Sequence, residues 1–178
     1  LKDKCNEFKI EFLSSPFSIE AVELLEEVGV NQYKIPSGEV TNLPMIEVLA
    51  QTQKPIILSS GMSTWEELDA AVDTIQKIHN NITILQCTSE YPCAYENVGL
   101  NIMLGMKDRY NLPVGLSDHT VSNYSAFTAV SLGAIVIEKH LTFSRKMYGS
   151  DAKHSLEPNE FKDLVKGVHA INKMISSK

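Results

Sequence analysis

Short apolar runs alternate with longer amphipathic runs along this chain of 178 residues. Six of the short runs predict β-strands, because each is rich in Ile, Val, Leu or Phe and is bounded by turn residues. The predicted strands cover residues 8–15, 32–35, 55–58, 82–85, 112–116 and 134–137. Between them, apolar residues recur at helical spacing. This alternation predicts repeated βα units whose strands are parallel.

Capping residues mark the ends of several predicted helices. Ser18 precedes an amphipathic run that stops at Gly29, a residue suited to a left-handed C-cap. Ser63 or Thr64 is expected to cap the helix after the third strand, since two glutamates follow it. Pro158 suits the first turn of the last helix. These signals place one helix after each predicted strand.

Two architectures fit such a series, an open doubly wound sheet and a (β/α)8 barrel. The glycine-rich turn of the dinucleotide-binding folds and the P-loop are both missing from the sequence. We therefore predict an α/β fold of the TIM (β/α)8 barrel type. Six units are visible where a closed barrel has eight, and the chain starts at Leu1 rather than methionine. We expect residues 1–178 to form a single domain, incomplete because two N-terminal units are missing.

Composition narrows the possible partners. The chain is 43% hydrophobic and 21% charged, with a formal net charge of −6. This balance is typical of globular domains, and it argues against binding to nucleic acid or to an anionic membrane. The apolar runs are too short to span a membrane. Cys5, Cys87 and Cys93 have no metal-ligand spacing, so we expect free thiols and a cytoplasmic location.

Two histidines directly follow neighbouring strands. His119 ends the sequence Ser-Asp-His after the fifth predicted strand, and His140 ends Glu-Lys-His after the sixth. Since the carboxyl ends of parallel strands meet at one edge, the two imidazoles can converge on a divalent metal. A single histidine is more often a packed or surface residue than a ligand, which is our interpretation of His79, His154 and His169.

Hydroxyl groups and one lysine follow the other strands. Lys34 closes a predicted buried strand, where a lysine is costly unless it meets an anion. Four serines also follow strands, and short hydroxyl donors beside glycines suit phosphate or carboxylate oxygens. They are Ser15, Ser37, Ser59 and Ser117. The pattern predicts an anion site at the same edge.

Seven sequence blocks, in this order, resemble the N-acetylneuraminate (sialic acid) synthase family, which includes the legionaminate synthases. The blocks are SSPF at residues 14–17, YKIPSGE at 33–39, ILSSGM at 57–62, QCTSEYP at 86–92, GLSDHT at 115–120, IEKH at 137–140 and SLEP at 155–158. The resemblance covers nearly the whole chain and corresponds to the third to eighth βα units of that family's barrel. The family's first two units and its antifreeze-like C-terminal domain are absent, so it implies that the chain alone is inactive.

The resemblance implies a reaction. Phosphoenolpyruvate condenses with the aldehyde of an open-chain N-acylmannosamine-type sugar, giving phosphate and a nine-carbon 2-keto sugar acid such as N-acetylneuraminate or legionaminate. It also implies a divalent metal, with Mn²⁺ expected first and Mg²⁺ or Co²⁺ as alternatives. A homodimer is implied for the full-length protein, working in bacterial sialic acid or surface polysaccharide biosynthesis.

The resemblance also assigns roles to residues. Phosphoenolpyruvate ligands are Lys34, Ser37, Ser59 and Ser117, joined by Ser15 and by Ser89, where some relatives carry asparagine. Sugar contacts are Glu39, Tyr91 and Asp151. The metal ligands are His119 and His140, with Glu138 beside them. We count Glu39, Glu138, His119 and His140 as catalytic, and the general base could be Glu39, Glu138 or a water molecule.

Other functions fit parts of this pattern. The chain could belong to a different phosphoenolpyruvate-dependent synthase, such as one making octulosonate phosphate. It could also be a non-catalytic remnant that binds a phosphosugar or a partner. The acceptor sugar stays open among N-acetylmannosamine, its 6-phosphate and a 2,4-diacetamido-trideoxy mannose.

Overall fold

The computed structural model describes residues 1–177. The chain divides after Thr83 into two compact units. The α-helices of the described residues are α1 (Lys2–Phe8), α2 (Ile19–Val28), α3 (Leu43–Gln51), α4 (Trp65–Gln76), α5 (Leu100–Tyr110), α6 (Tyr124–Ser131) and α7 (Pro158–Ser176). The strands are β1 (Tyr33–Ile35), β2 (Ile56–Ser59), β3 (Ile82–Cys87), β4 (Val114–Asp118) and β5 (Val136–Lys139). Single-turn 3₁₀ helices cover Ser37–Glu39, Tyr95–Asn97 and Ala152–His154.

The first unit is built around two parallel strands. In β1 and β2, Tyr33 lies opposite Ile56 and Ile35 lies opposite Leu58. Every residue of both strands is buried, as expected for parallel strands covered on both faces. Helices α3 and α4 pack against each other. Their buried apolar residues, which include Leu49 on α3, continue this core.

The predicted strand at residues 8–15 is wrong. Helix α1 extends to Phe8, and Lys9 then adopts a left-handed conformation with φ of 56°. Within the same stretch, Ser14 makes a single parallel bridge to Tyr33. Phe8 and Ile10 are 66% and 63% exposed, so their apolar spacing does not correspond to a buried strand face.

Most predicted helix ends are confirmed. The Ser18 side chain accepts a hydrogen bond from the Ala21 backbone N–H, and Gly29 ends α2 with φ of 76°. Thr64, rather than Ser63, caps α4, and it forms a reciprocal capping box with Glu67. Pro158 is the first residue of α7. Local sequence therefore sets where these crossover helices begin and end.

The second unit contains β4, β5 and residues 84–87 of β3, as parallel strands in the order β3-β4-β5. Gly115 on β4 lies opposite Val136 on β5, and a Cβ at this position would sit 2.4 Å from the Val136 carbonyl oxygen. Helices α6 and α7 pack together around Ala126 and Leu164. The α/β class and the parallel strands predicted from the sequence are confirmed.

Register decides which polar residues face each other at the end of β4 and β5. Ser117 is paired with Glu138, and Asp118 is paired with Lys139. His119 and His140 are the next residues along the two strands. The two histidines therefore leave the sheet at the same level. No helix among residues 1–177 is long and apolar enough to cross a membrane.

Candidate active site

Three aromatic rings gather at the strand ends of the second unit. The ring centres of His119 and His140 are 5.3 Å apart. The Tyr91 ring, on the loop after β3, lies 4.2 Å from the ring of His119 and 5.8 Å from that of His140. His119 is buried, whereas the side chain of His140 is 37% exposed. The convergence of the two histidines, predicted from their position after neighbouring strands, is present in the fold.

A backbone carbonyl orients the imidazole of His119. The Nδ1 atom lies 2.9 Å from the carbonyl oxygen of Thr88. A carbonyl can only accept, so a neutral His119 ring carries its proton on Nδ1 and presents the lone pair of Nε2. Burial lowers the pKa of His119, but hydrogen bonds with the Cys87 side chain and the Thr88 backbone outweigh this and raise the pKa overall.

His140 has a different environment. Its Nδ1 atom is 3.7 Å from Oδ2 of Asp151, a side chain that is 59% exposed. Burial and the nearby His119 lower the pKa of His140, although the carboxylates of Asp151 and Glu138 act in the opposite direction. The lowered pKa keeps His140 neutral at pH 7, and a neutral imidazole is the form that binds metals.

Glu138 is held by its partner across the strands. The Ser117 hydroxyl donates a hydrogen bond of 2.7 Å to Oε1 of Glu138.

Burial, followed by the negative fields of Cys87, Asp151 and Glu138, raises the pKa of Tyr91. Tyr91 is therefore a neutral phenol that can donate a hydrogen bond to an oxygen ligand.

The donor atoms of this cluster fit a divalent metal with two protein ligands. In residues 1–177 no group of three or more His, Cys, Asp and Glu side chains is arranged to hold a metal ion. A metal bound by His119 and His140 would leave its other positions to water or substrate oxygens, as catalytic sites do. The contact of His119 Nδ1 with a carbonyl is also the usual support for a metal-binding histidine.

The first unit carries its own predicted residues at the ends of β1 and β2. Lys34 is buried on β1, and Ser59 is buried at the end of β2. In the described part of the chain, the Ser59 hydroxyl has no hydrogen-bond partner. Since an unpaired buried hydroxyl costs free energy, Ser59 fits a group that awaits a ligand. Ser37 lies on the 3₁₀ turn that follows β1.

The remaining predicted residues occupy loops. Glu39 ends the first 3₁₀ turn and accepts a hydrogen bond of 2.8 Å from the Asn42 amide. Ser15 is half-buried beside the bridge made by Ser14. Ser89 is half-buried in the loop that carries Tyr91. The structure thus brings together His119, His140, Tyr91, Glu138, Ser117 and Asp151 in the second unit.

Sequence reasoning missed the buried ion pair of Asp118 and Lys139. Their charged atoms are 2.8 Å apart, and their side chains are 0% and 1% exposed. The available signal was an acid before one histidine and a lysine before the other, at positions that a parallel register would pair. The hydrogen bond of Cys87 to His119 was also missed, because the cysteines were predicted only to be free thiols.

The chain is similar to known proteins over nearly its whole length. The NeuB family profile matches residues 1–178. The chain is 47% identical over 173 residues to the N,N'-diacetyllegionaminic acid synthase of Campylobacter jejuni, covering 96% of this chain and 51% of that protein. It is 41% identical to the pseudaminic acid synthase of Helicobacter pylori, covering 87% of this chain and 46% of that protein. It is 33% identical to the human N-acetylneuraminate-9-phosphate synthase, with 99% and 50% covered.

The chain is also similar to solved structures. The crystal structure of N-acetylneuraminic acid (sialic acid) synthetase from Leptospira borgpetersenii superposes with a TM-score of 0.94 at 32% identity, covering 99% of this chain and 62% of that one. A truncated 3-deoxy-D-arabino-heptulosonate 7-phosphate synthase from Thermotoga maritima superposes with a TM-score of 0.80 at 18% identity, which shows likeness of fold alone. The chain spans about half the length of the curated relatives it matches. The match over the full length of the chain shows that it belongs to the NeuB family, the sialic acid synthase family.

Proposed function

We propose that this chain is the catalytic part of a synthase that condenses phosphoenolpyruvate with an open-chain N-acylated amino sugar. The observation that carries the proposal is the cluster of His119, His140, Tyr91, Glu138 and Asp151 at the strand ends. Membership in the NeuB family and the 47% identity to a legionaminic acid synthase support it. We expect a nine-carbon 2-keto sugar acid and phosphate as products.

In the proposed reaction, C3 of phosphoenolpyruvate forms a bond to the aldehyde carbon of the sugar. Water then adds at C2, and phosphate leaves by cleavage of its bond to C2. A divalent metal, expected to be Mn²⁺ with Mg²⁺ or Co²⁺ as alternatives, would supply Lewis-acid polarisation of the aldehyde when held by His119 and His140.

The side chains of the second unit have separate roles in this proposal. Tyr91, a neutral phenol, donates a hydrogen bond to a sugar oxygen, and Asp151 accepts from sugar hydroxyls. Glu138, held by Ser117, lies on the paired strand end before His140 and is a candidate base for the water that adds at C2. A positioned carboxylate of this kind contributes about 10²- to 10⁴-fold to a proton-transfer step.

The side chains of the first unit are proposed to hold phosphoenolpyruvate. Lys34 supplies positive charge to the phosphate and carboxylate groups of phosphoenolpyruvate. Because the chain has a net charge of −6, this positive charge has to come from a local side chain. The hydroxyl of Ser59 lacks a hydrogen-bond partner among the described residues, which supports a ligand role. Ser15, Ser37, Ser89 and Ser117 are the further hydroxyl donors, and Glu39 is proposed to contact the sugar.

The test is phosphate release by the natural full-length protein, with phosphoenolpyruvate and one acceptor at a time. The acceptors are N-acetylmannosamine, its 6-phosphate and a 2,4-diacetamido-trideoxy mannose. We expect turnover with one of them in the presence of Mn²⁺, and we favour the last because of the similarity to the legionaminic acid synthase. His119→Ala and His140→Ala should each abolish turnover, while His169→Ala on α7 should retain it. Turnover that survives both site substitutions would contradict the assigned site.

A further inference from the structure

A buried ion pair lies immediately before the two histidines in the sequence. Asp118 precedes His119 at the end of β4, and Lys139 precedes His140 at the end of β5. Nζ of Lys139 is 2.8 Å from Oδ2 of Asp118, and both side chains are almost fully buried. The two residues face each other directly in the β4–β5 register.

Hydrogen bonds anchor this pair to the segment after His119. Oδ1 of Asp118 accepts from the backbone N–H of Thr120 at 2.9 Å, and Oδ2 accepts from the hydroxyl of Ser125 on α6. Nζ of Lys139 donates to the carbonyl oxygen and the hydroxyl of Thr120. The pair therefore connects β5 to the backbone on both sides of His119.

The side chains of Asp118 and Lys139 lie outside the proposed reaction site. Side chains alternate between the two faces of a strand, so Asp118 and Lys139 point away from the face that carries His119 and His140. The contact of Asp118 with Ser125 on α6 agrees with this orientation. Neither residue is expected to touch a substrate or a metal.

Stability alone does not require a charged pair here. Removing two charges from water costs several kcal/mol per ion, and well-packed apolar residues at such positions are often equally stable or more stable. A buried pair is better suited to fixing one register, because only one alignment of the strands satisfies both charges. The convergence of His119 and His140 depends on that alignment.

We propose that Asp118 and Lys139 are positioning residues that lock the ends of β4 and β5 so that His119 and His140 converge on one divalent cation. This inference rests on the proposed function, since it takes the two histidines as the metal ligands. The pair acts through the backbone that carries each histidine. Its loss should therefore weaken metal binding through geometry, without removing a ligand.

The experiment measures Mn²⁺ affinity without substrates, by electron paramagnetic resonance of free Mn²⁺, together with the Tm of the metal-free protein. The natural full-length protein is compared with Lys139→Met, with the double variant Asp118→Asn/Lys139→Met, and with Ser125→Ala. The matched control is Lys166→Met, which removes a lysine from the exposed pair with Asp163 on α7.

We expect Lys139→Met to lower both Tm and affinity, because it leaves Asp118 buried without its partner. The double variant should regain most of the lost Tm, yet bind Mn²⁺ about 10- to 100-fold more weakly, the usual effect of losing supporting residues around a metal site. The control should match the wild type. A double variant with wild-type affinity would overturn the positioning role.

Ser125→Ala keeps the inference testable even if the charged positions tolerate no change. It removes one hydrogen bond to Asp118 and should weaken Mn²⁺ binding at least twofold, and unchanged affinity would count against the proposal. A wild-type protein that binds no Mn²⁺ would contradict the metal site itself, and with it the positioning role. If the wild type binds Mn²⁺ and the double variant binds it equally tightly, only the positioning role is overturned.

Discussion

Lys34 lies buried on β1, and a buried ammonium group is stable only where anionic or carbonyl oxygens surround it. Its Nζ atom donates to the Ile35 carbonyl oxygen at 3.4 Å. An ammonium group at this position is proposed to bind the negative charge of phosphoenolpyruvate.

Replacing Lys34 with alanine should mainly weaken the binding of phosphoenolpyruvate. A hydrogen bond to a charged group contributes about 1.5–3 kcal/mol, so we expect KM for phosphoenolpyruvate to rise about 10- to 100-fold. Steady-state kinetics of the full-length protein measure this change. Lys54→Ala, at the partly exposed ion pair with Glu26, is the matched control and should leave KM unchanged. An unaltered KM in Lys34→Ala would remove Lys34 from the anion site.

Where the signal was a polar residue directly after a strand, the sequence predicted side chains that lie close together in the structure. His119 and His140 were found in this way, and the structure brings them together. The Thr88 carbonyl that orients His119 was not predictable, because a backbone atom contributes no distinctive residue type. The pairing of Asp118 with Lys139 depends on strand register, which the two separate sequence motifs do not specify.

At the scale of elements, close approach of β4 and β5 requires glycine at position 115. A Cβ there would lie 2.4 Å from the Val136 carbonyl oxygen and 2.6 Å from Cδ2 of Leu85. The first contact is with the backbone of the paired strand β5. That backbone cannot move without disturbing the hydrogen bonds between β4 and β5.

Gly115→Ala should destabilise the protein by about 1–3 kcal/mol, the usual cost of overpacking a well-filled interior. Urea unfolding of the purified variant measures the change. Gly105→Ala on α5 is the control, because a Cβ there meets no atom within 4 Å. Alanine also favours a helix interior, so Gly105→Ala should stabilise by about 0.5–1 kcal/mol. Equal stability of the two variants would contradict the close approach.

The loop after β5 is joined to α7 by Arg145. Its guanidinium forms an ion pair with Glu160, and its Nε donates to the carbonyl oxygen of Ser155. The hydrogen bond from Arg145, together with the backbone at Glu157, lowers the pKa of Glu160 below its ordinary value of 4.5. Both side chains are about one third to two fifths exposed, so solvent weakens the pair.

This lowered pKa gives a pH dependence with a definite sign. Because the folded pKa lies below the unfolded one, Glu160 stabilises the fold above its unfolded pKa, near 4.5, and loses that contribution as the pH falls through the lowered value. Urea unfolding between neutral pH and about pH 3 measures it. Glu160→Gln should make the free energy of unfolding less dependent on pH in this range. Glu7→Gln, at an exposed pair on α1, should leave that dependence as it is in the wild type. A profile that is unchanged in Glu160→Gln would contradict the assignment.

Helix ends were predictable because their signals are local. Ser18, Gly29, Thr64 and Pro158 act within one turn of their own position. The strand predicted at residues 8–15 failed because a strand also needs a paired neighbour and a buried face. Within this described stretch only Ser14 is paired, by a single bridge to Tyr33, and Phe8 and Ile10 are exposed.

At the scale of the whole molecule, the proposed metal site predicts that removing the metal abolishes turnover without unfolding the protein. The core of each unit is apolar and independent of His119 and His140, so a chelator should abolish turnover while the protein stays folded. Added Mn²⁺ should raise Tm, since a ligand that binds only the folded state stabilises it by about 2.7 kcal/mol at 100 times Kd. Thermal unfolding with and without Mn²⁺ measures this. A similar rise in the His119→Ala variant would show that Mn²⁺ binds elsewhere.

By itself, the sequence determined the α/β class, the parallel strands, the helix ends and the family, because these follow from local periodicity, capping chemistry and the order of short motifs. Only the tertiary structure decided that the rings of His119 and His140 are 5.3 Å apart, and that Asp118 and Lys139 form a buried pair behind them. These features depend on the register of β4 against β5. Register is set by contacts between residues far apart in the chain, which no single segment of sequence contains.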